Sequence, residues 1–316
     1  MRKITLEDHF SVPEMSYRLQ RKFASDYAKE LDARLLDIER WRLPEMDRYG
    51  VDVQVLSFTC PGIQGIPDAP TAITTAKTLN DTLADLVRSH PTRFAGFAAL
   101  PMQDPKEAAS ELERAVTQLG FKGALVNGHT NGQYLDEQQF WVVFERAEAL
   151  GVPIYLHPID TPSDQMKLYG SYNELFGSTW NWGVETATHA LRLVFGGVFD
   201  AFPGLTVILG HLGEMLPYAL HRLDDRWKVA THTRELKKEL PSQYVKENML
   251  VTTSGNFSDA ALLCALLTLG ADRILFSIDY PYQRMADGAQ FIEAAPISDA
   301  DKAKICFQNA ERLFKW

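Results

Sequence analysis

Residues 152–157 read VPIYLH, and the fold turns on that hexapeptide. It has the length of a strand, is apolar almost throughout, and ends in an imidazole. A continuously apolar short run suits a parallel strand covered on both faces. Seven more runs of this kind punctuate the chain: KITLEDH (3–9), VDVQVLSF (51–58), FAGFAAL (94–100), GALVN (123–127), LTVILGH (205–211), MLVTTS (249–254) and RILFSID (273–279). Between them lie stretches of helical period, among them 81–90, 104–120, 137–151 and 258–270. Three of these close on the glycine expected just past a helix C-terminus, and Asp104-Pro105 supplies a cap followed by a first-turn proline.

Eight strands alternating with helices imply one closed (β/α)8 barrel spanning residues 1–316. The competing open, doubly wound sheet lacks a glycine-rich phosphate loop after any strand. Two connections are long for a barrel, residues 10–30 and 159–181, and the aromatics and turn residues of the second suit a lid. The last sixteen residues read as a closing amphipathic helix.

The formal net charge is −9 with no run of Lys or Arg, which argues against a nucleic-acid partner or an anionic membrane surface. No segment has the apolar length of a membrane span or a signal peptide. Cys60, Cys264 and Cys306 are far apart and odd in number, so neither a disulfide framework nor a metal knuckle is expected, and a cytoplasmic enzyme fits. Cys264 reads as a small core residue, while Cys60 could line a site.

Active sites of such barrels sit where the strands stop. Strand one stops at Glu7 and His9, which share a face while Asp8 points the other way. The fifth strand stops at His157, the sixth at His211, the seventh at Ser254 and the eighth at Asp279. Imidazole nitrogens and carboxylate oxygens converging on one mouth form a ligand set for a divalent metal such as zinc, manganese or iron(II). Strand four ends in Asn127, and its Lys122 lies at the opposite end. With no lysine to bridge a second ion, one metal is expected. His90, His129, His189, His221 and His232 read as structural. Arg222 could bend back over the mouth to hold a carboxylate, or be a solvated helix residue.

The stretches LEDHF, ALVNG, YLHP, ILGHLGE, TTSGNF, RILFSIDYPY and NAERLF together resemble the amidohydrolase-related non-oxidative decarboxylases. Within that family the chain is most similar to the hydroxybenzoate decarboxylases of the γ-resorcylate and 2,3-dihydroxybenzoate type. The resemblance implies one zinc or manganese ion on Glu7, His9, His157 and Asp279, and no organic cofactor. It implies His211 and Glu214 as active-site partners and either Asp279 or His211 as the proton donor. The substrate would be a small aromatic carboxylic acid with an ortho-hydroxyl, contacted by Arg222, Tyr280 and Tyr282, and the assembly a homodimer or homotetramer. Two departures bear on the substrate's ring pattern. Tyr280-Pro281-Tyr282 stands where Trp-Pro-Phe is expected, and LDDRW (223–227) replaces an asparagine-containing form. The same ligands could serve a metal-dependent hydrolase of a lactone or amide. A catalytically silent barrel would be expected to lack ligands, and none is missing.

Overall fold

A computed structural model describes residues 1–13, 15 and 25–316; the long connection expected at residues 10–30 lies in large part outside the described residues. The strands are β1 Ile4–Phe10, β2 Val53–Phe58, β3 Phe94–Gly96, β4 Ala98–Ala99, β5 Ala124–Asn127, β6 Ile154–His157, β7 Val207–Leu209, β8 Met249–Thr252 and β9 Ile274–Leu275. All neighbours pair in parallel, as β1-β2-β3 and as β4 through β9 in order. β3 and β4 are one stave interrupted at Phe97. The Phe97 N–H reaches the Leu56 carbonyl at 2.9 Å and the Ala98 N–H reaches that of Gly123 at 2.9 Å, so the stave passes from one sheet to the other. The cylinder closes where His9 N–H bonds Tyr280 O (2.7 Å) and Asp279 N–H bonds Glu7 O (3.0 Å). Eight staves closed in this way, with helices between them, make the expected (β/α)8 barrel.

Period-two alternation divides the strand residues between two cores. Leu125, Tyr155, Ile208 and Leu250 pack inside the cylinder with Ile4, Leu6 and Phe97. Val126, Leu156, Val207, Leu209 and Val251 face the helical layer. β1 breaks the alternation. Its pairing with β2 runs Thr5 to Gln54 but Asp8 to Leu56, one residue too many. This bulge lets two consecutive residues face inward: Leu6 joins the interior cluster, and Glu7 accepts a hydrogen bond there from Tyr155. The N–H groups of Leu6 and Glu7 both turn to the Ser277 hydroxyl, at 3.2 and 2.7 Å. Asp8 goes outward, accepting from Thr5 Oγ1 and the Tyr280 N–H. There the fully buried Arg42 guanidinium donates to the His9 carbonyl and to Gln54.

Local signals placed most helices. Asp104 caps Pro105–Thr117 through the N–H groups of Lys106 and Glu107, and left-handed Gly151 ends Trp141–Leu150. The stretch expected at 81–90 is the end of a longer helix, Ala69–Ser89, started by Asp68 and a first-turn proline. The closing helix is not uniform: a π turn at Lys304–Gln308 frees the Ile305 carbonyl to accept the Phe276 N–H at 2.9 Å. Cys264 is half-buried on Asp259–Leu269, not a core residue. Among the described residues, no helix is long and apolar enough to cross a membrane.

Candidate active site

The ends of β1 and β6 bring Glu7, His9 and His157 together, with one ligand atom from each lying within 4.8 Å of the others. The imidazoles are presented by their second nitrogens. His157 Nδ1 meets the Pro158 carbonyl at 2.8 Å, leaving Nε2 3.3 Å from Glu7 Oε1. His9 Nδ1 meets Ser57 Oγ at 3.2 Å, and its Nε2 has no hydrogen-bond partner among the described residues. Glu7 Oε1 is likewise unpartnered. Burial pushes both histidines down to about 4, which makes them neutral, the form that binds metal. Burial would raise Glu7, but His211, His157 and His9, with the Tyr155 hydroxyl, outweigh it and hold the carboxylate below its ordinary range. Buried polar atoms are nearly always bonded; an orphaned carboxylate oxygen facing an orphaned, neutral imidazole nitrogen is a donor set that fits one divalent cation.

Asp279 follows β9 at a left-handed φ of 77°. Its Oδ1 lies 3.4 Å from His9 Nε2, at the edge of the trio and facing the cavity. Burial, then the Glu7 charge, push it up to about 8.

His211 and Glu214 reach the mouth by an unusual backbone. Residues 211–215 all have positive φ, and four of them are not glycine. Each such residue costs about 1–2 kcal/mol. The turn is held by the Leu212 N–H on Thr252 O and the Gly213 N–H on Gly210 O, both at 2.7 Å. It sets His211 Nδ1 2.5 Å from Glu214 Oε1, with Nε2 3.9 Å from Glu7 Oε1. Burial would lower the His211 pKa, but Glu214, Glu7 and Asp279 push it up to about 10.

Of these groups His157, His211, Glu214 and Asp279 line a cavity of about 420 Å³, the size of a small-molecule pocket, with the buried Glu7 and His9 behind them. Cys60, Trp182, Asn256, Tyr282 and Gln283 complete its wall, and the 159–181 connection contributes Ser178, Thr179 and Trp180 as a partial cover. Tyr282 stands edge-on to His9, with its hydroxyl 2.5 Å from Thr59 Oγ1. Two expected substrate contacts are elsewhere. Arg222 lies on the outer face of Leu216–Trp227, its side chain 75% exposed and 3.8 Å from Asp225. Tyr280 is buried at the closing seam, where its ring lies under Arg42 and its hydroxyl accepts from Arg34; the chain turns at Asp279 and sends Tyr280 to the helical side. Ser254 is buried and does not line the cavity.

Two participants escaped the sequence reading. Tyr155 donates to Glu7 Oε2, and its position two residues before His157 on one strand was a usable signal. Trp182 stands edge-on to His157 and donates to Asp160 Oδ1 at 2.7 Å; no spacing marks it.

Residues 9–316 match the amidohydrolase family. The chain is 45% identical to a γ-resorcylate decarboxylase of Polaromonas sp., over 99% of this chain and 98% of that one. It superposes on a 2,6-dihydroxybenzoate decarboxylase complexed with 2,6-dihydroxybenzoate with a TM-score of 0.96, at 42% identity over the whole of both chains. A Polaromonas sp. dihydroxybenzoic acid decarboxylase with bound manganese and the inhibitor 2-nitroresorcinol gives a TM-score of 0.95 at 45% identity, covering 99% of this chain and 96% of that one.

One close approach tests the ligand set. A Cβ at Gly210 would lie 2.8 Å from Glu7 Oε2 and 3.3 Å from the Tyr155 hydroxyl. Gly210→Ala is therefore expected to displace the carboxylate. Elemental analysis should show about one divalent ion per chain for the parent and clearly less for the variant, with unchanged circular dichroism. Equal metal content in both would show that Glu7 does not hold the ion.

Proposed function

The chain belongs to the amidohydrolase family and is a metal-dependent hydroxybenzoate decarboxylase of it, and from that premise we propose that it removes carbon dioxide from an ortho-hydroxybenzoate of the 2,6-dihydroxybenzoate (γ-resorcylate) class with Asp279 as proton donor. The observation that carries this reading is the meeting of three elements at one cavity: the Glu7–His9–His157 trio, a buried carboxyl at its edge, and an imidazole clamped by a carboxylate.

Glu7, His9 and His157 would hold the ion, with Asp279 beside it; manganese is the candidate suggested by the relatives. When bound, the ion supplies Lewis-acid charge that stabilises negative oxygen on the substrate. The other roles fall to side chains. Tyr282 and Trp182 present ring surface to an aromatic acid. Asp279 delivers its proton to the ring carbon that bears the carboxylate. That carbon then carries both groups, the carbon–carbon bond breaks, and its electron pair returns to the ring as carbon dioxide leaves. Asp279 is left ionised and regains a proton before the next turnover. His211, oriented through Nδ1 by Glu214, faces the same space as a cation beside the departing carboxylate. A positioned acid contributes about 10²–10⁴-fold, short of the roughly 10⁶-fold that enzymes supply at the least. Orientation and electrostatics must provide the remainder.

We further place the whole chain as one catalytic unit in the cytoplasm, working as a homo-oligomer. Leu168, Tyr172, Trp180, Met215 and Tyr218 stand exposed on the segments that carry cavity-lining residues or adjoin them, and exposed large apolar side chains of this kind are what a partner chain would cover. Light scattering should give a mass of two or four chains, and a monomer at micromolar concentration would refute the assembly.

Two experiments test the chemistry. Offered isomeric acids, the enzyme should release carbon dioxide from at least one ortho-hydroxybenzoate and not from meta- or para-hydroxybenzoate, in which the hydroxyl is not beside the carboxylate. Turnover of the para isomer at a similar rate would overturn the substrate class, and lactone cleavage without decarboxylation would identify a hydrolase. Asp279→Asn keeps the shape but cannot deliver a carboxyl proton. It should retain metal and lose at least about 10²-fold in kcat; near-normal turnover would move the donor to His211.

A further inference from the structure

The two carboxylate oxygens of Glu7 have unlike surroundings. Oε1 has no hydrogen-bond partner among the described residues and lies 3.3 Å from His157 Nε2 and 3.9 Å from His211 Nε2. Oε2 accepts from the Tyr155 hydroxyl, whose ring stands in the barrel interior. It is also walled in: a Cβ at Gly210 would lie 2.8 Å from Oε2 and 3.3 Å from that hydroxyl. One oxygen is open toward the imidazole nitrogens, and the other is closed off by protein.

Tyr155 does not act alone. Its hydroxyl oxygen lies 3.0 Å from Thr252 Oγ1 on β8, and Thr252 Oγ1 accepts the Ser254 N–H at 3.3 Å. The directions of these bonds follow from the protons available. An ionised carboxylate only accepts, so the single Tyr155 hydroxyl proton goes to Glu7. Tyr155 then accepts from Thr252, whose oxygen accepts in turn from an N–H that can only donate. The run from the Ser254 N–H through Thr252 and Tyr155 to Oε2 points one way, and each bond polarises the next. Glu7, Tyr155, Thr252 and Ser254 have no solvent exposure, so bulk water does not compete. Both hydroxyls sit on well-held parts of the barrel. The Tyr155 ring lies 6.1 Å from that of Phe97, and the Thr252 carbonyl accepts the Leu212 N–H at 2.7 Å.

We propose that Tyr155 and Thr252 are positioning residues: their hydroxyl chain commits Glu7 Oε2 to the barrel interior, so that Glu7 holds the divalent ion through Oε1 alone. This rests on the metal site described above. The chain does for the carboxylate what a hydrogen bond on the second ring nitrogen does for a ligating histidine, fixing its orientation. Without it the carboxylate could turn and offer both oxygens to one ion, a mode that suits the large and flexible coordination sphere of calcium. Using one coordination position on Glu7 instead of two leaves more of them open to oxygen atoms of the substrate.

The test measures manganese binding alone: the whole chain is stripped of metal and titrated with manganese against a competing chelator, with no substrate present. Tyr155→Phe keeps the ring and removes one hydroxyl, and its dissociation constant for manganese should rise about 10–100-fold. Thr252 separates positioning from packing. Thr252→Ser keeps the hydroxyl and loses a buried methyl, whereas Thr252→Val keeps the shape and loses the hydroxyl. If the hydroxyl chain positions Glu7, the serine variant binds manganese as the parent does and the valine variant binds it more weakly. A merely structural role gives the reverse order, because the lost methyl leaves a void. Parent-like affinity in Tyr155→Phe, or the reverse order at Thr252, overturns the proposal. The expected affinities in a protein inert toward every hydroxybenzoate would uphold it and sink the reading of the reaction. A parent that binds no manganese would sink both.

Discussion

The structure is organised around one buried carboxylate. Glu7 has no solvent exposure, and an isolated charge in that position would neutralise itself by taking up a proton. It stays anionic with the charged His211 nearby, the Tyr155 hydroxyl donating to it and the neutral imidazoles of His9 and His157 beside it. Each of these requires a particular strand to end in a particular place. The bulge in β1 turns Glu7 inward, Ser277 holds the two displaced N–H groups, and the Asp279 N–H grips the Glu7 carbonyl where the barrel closes. The closure of the cylinder and the assembly of the site are therefore one set of hydrogen bonds.

Rigidity at the strand ends is matched by strain just beyond them. His211, Leu212, Glu214 and Met215, together with Asp279, hold positive φ without being glycine. At about 1–2 kcal/mol each, these residues consume several kcal/mol, a large part of the net stability of about 5–15 kcal/mol that a typical domain has. Such strain persists only where the surroundings over-determine it, and it gathers at functional sites. Here the closed barrel and the short bonds to Thr252 and Gly210 supply that constraint. The strained turn aims an imidazole and a carboxylate at the space where the substrate's carboxylate must change.

The electrostatic design follows from the division of partners. His9 and His157 are neutral because burial is not offset for them, which suits them to hold a cation. His211 has a dedicated carboxylate and is held in the charged form. Residues of one type thus take opposite states within one site, set by which of them has an anion of its own.

Much of this was legible in the sequence. The eight apolar runs carry their own period and length, so the barrel followed from local pattern, and Glu7, His9, His157, His211 and Asp279 followed from the rule that barrel strands end at the active site. Other features depended on neighbours distant in the chain. Arg222 turned to solvent because of the face its helix presents, and Tyr280 went to the helical layer because the backbone reverses at Asp279. The bulge that lets Leu6 and Glu7 face the same core is written in the register between two strands, not in β1 alone. Tyr155 and Trp182 gained their places through contacts with residues tens to more than a hundred positions away. The sequence by itself determined which residues could bind a metal and where the strands would end, since those depend on side-chain chemistry and short-range periodicity. Only the tertiary structure decided which carboxylate is charged and which side chains face the cavity, because both depend on burial and on the distances between groups that the fold alone brings together.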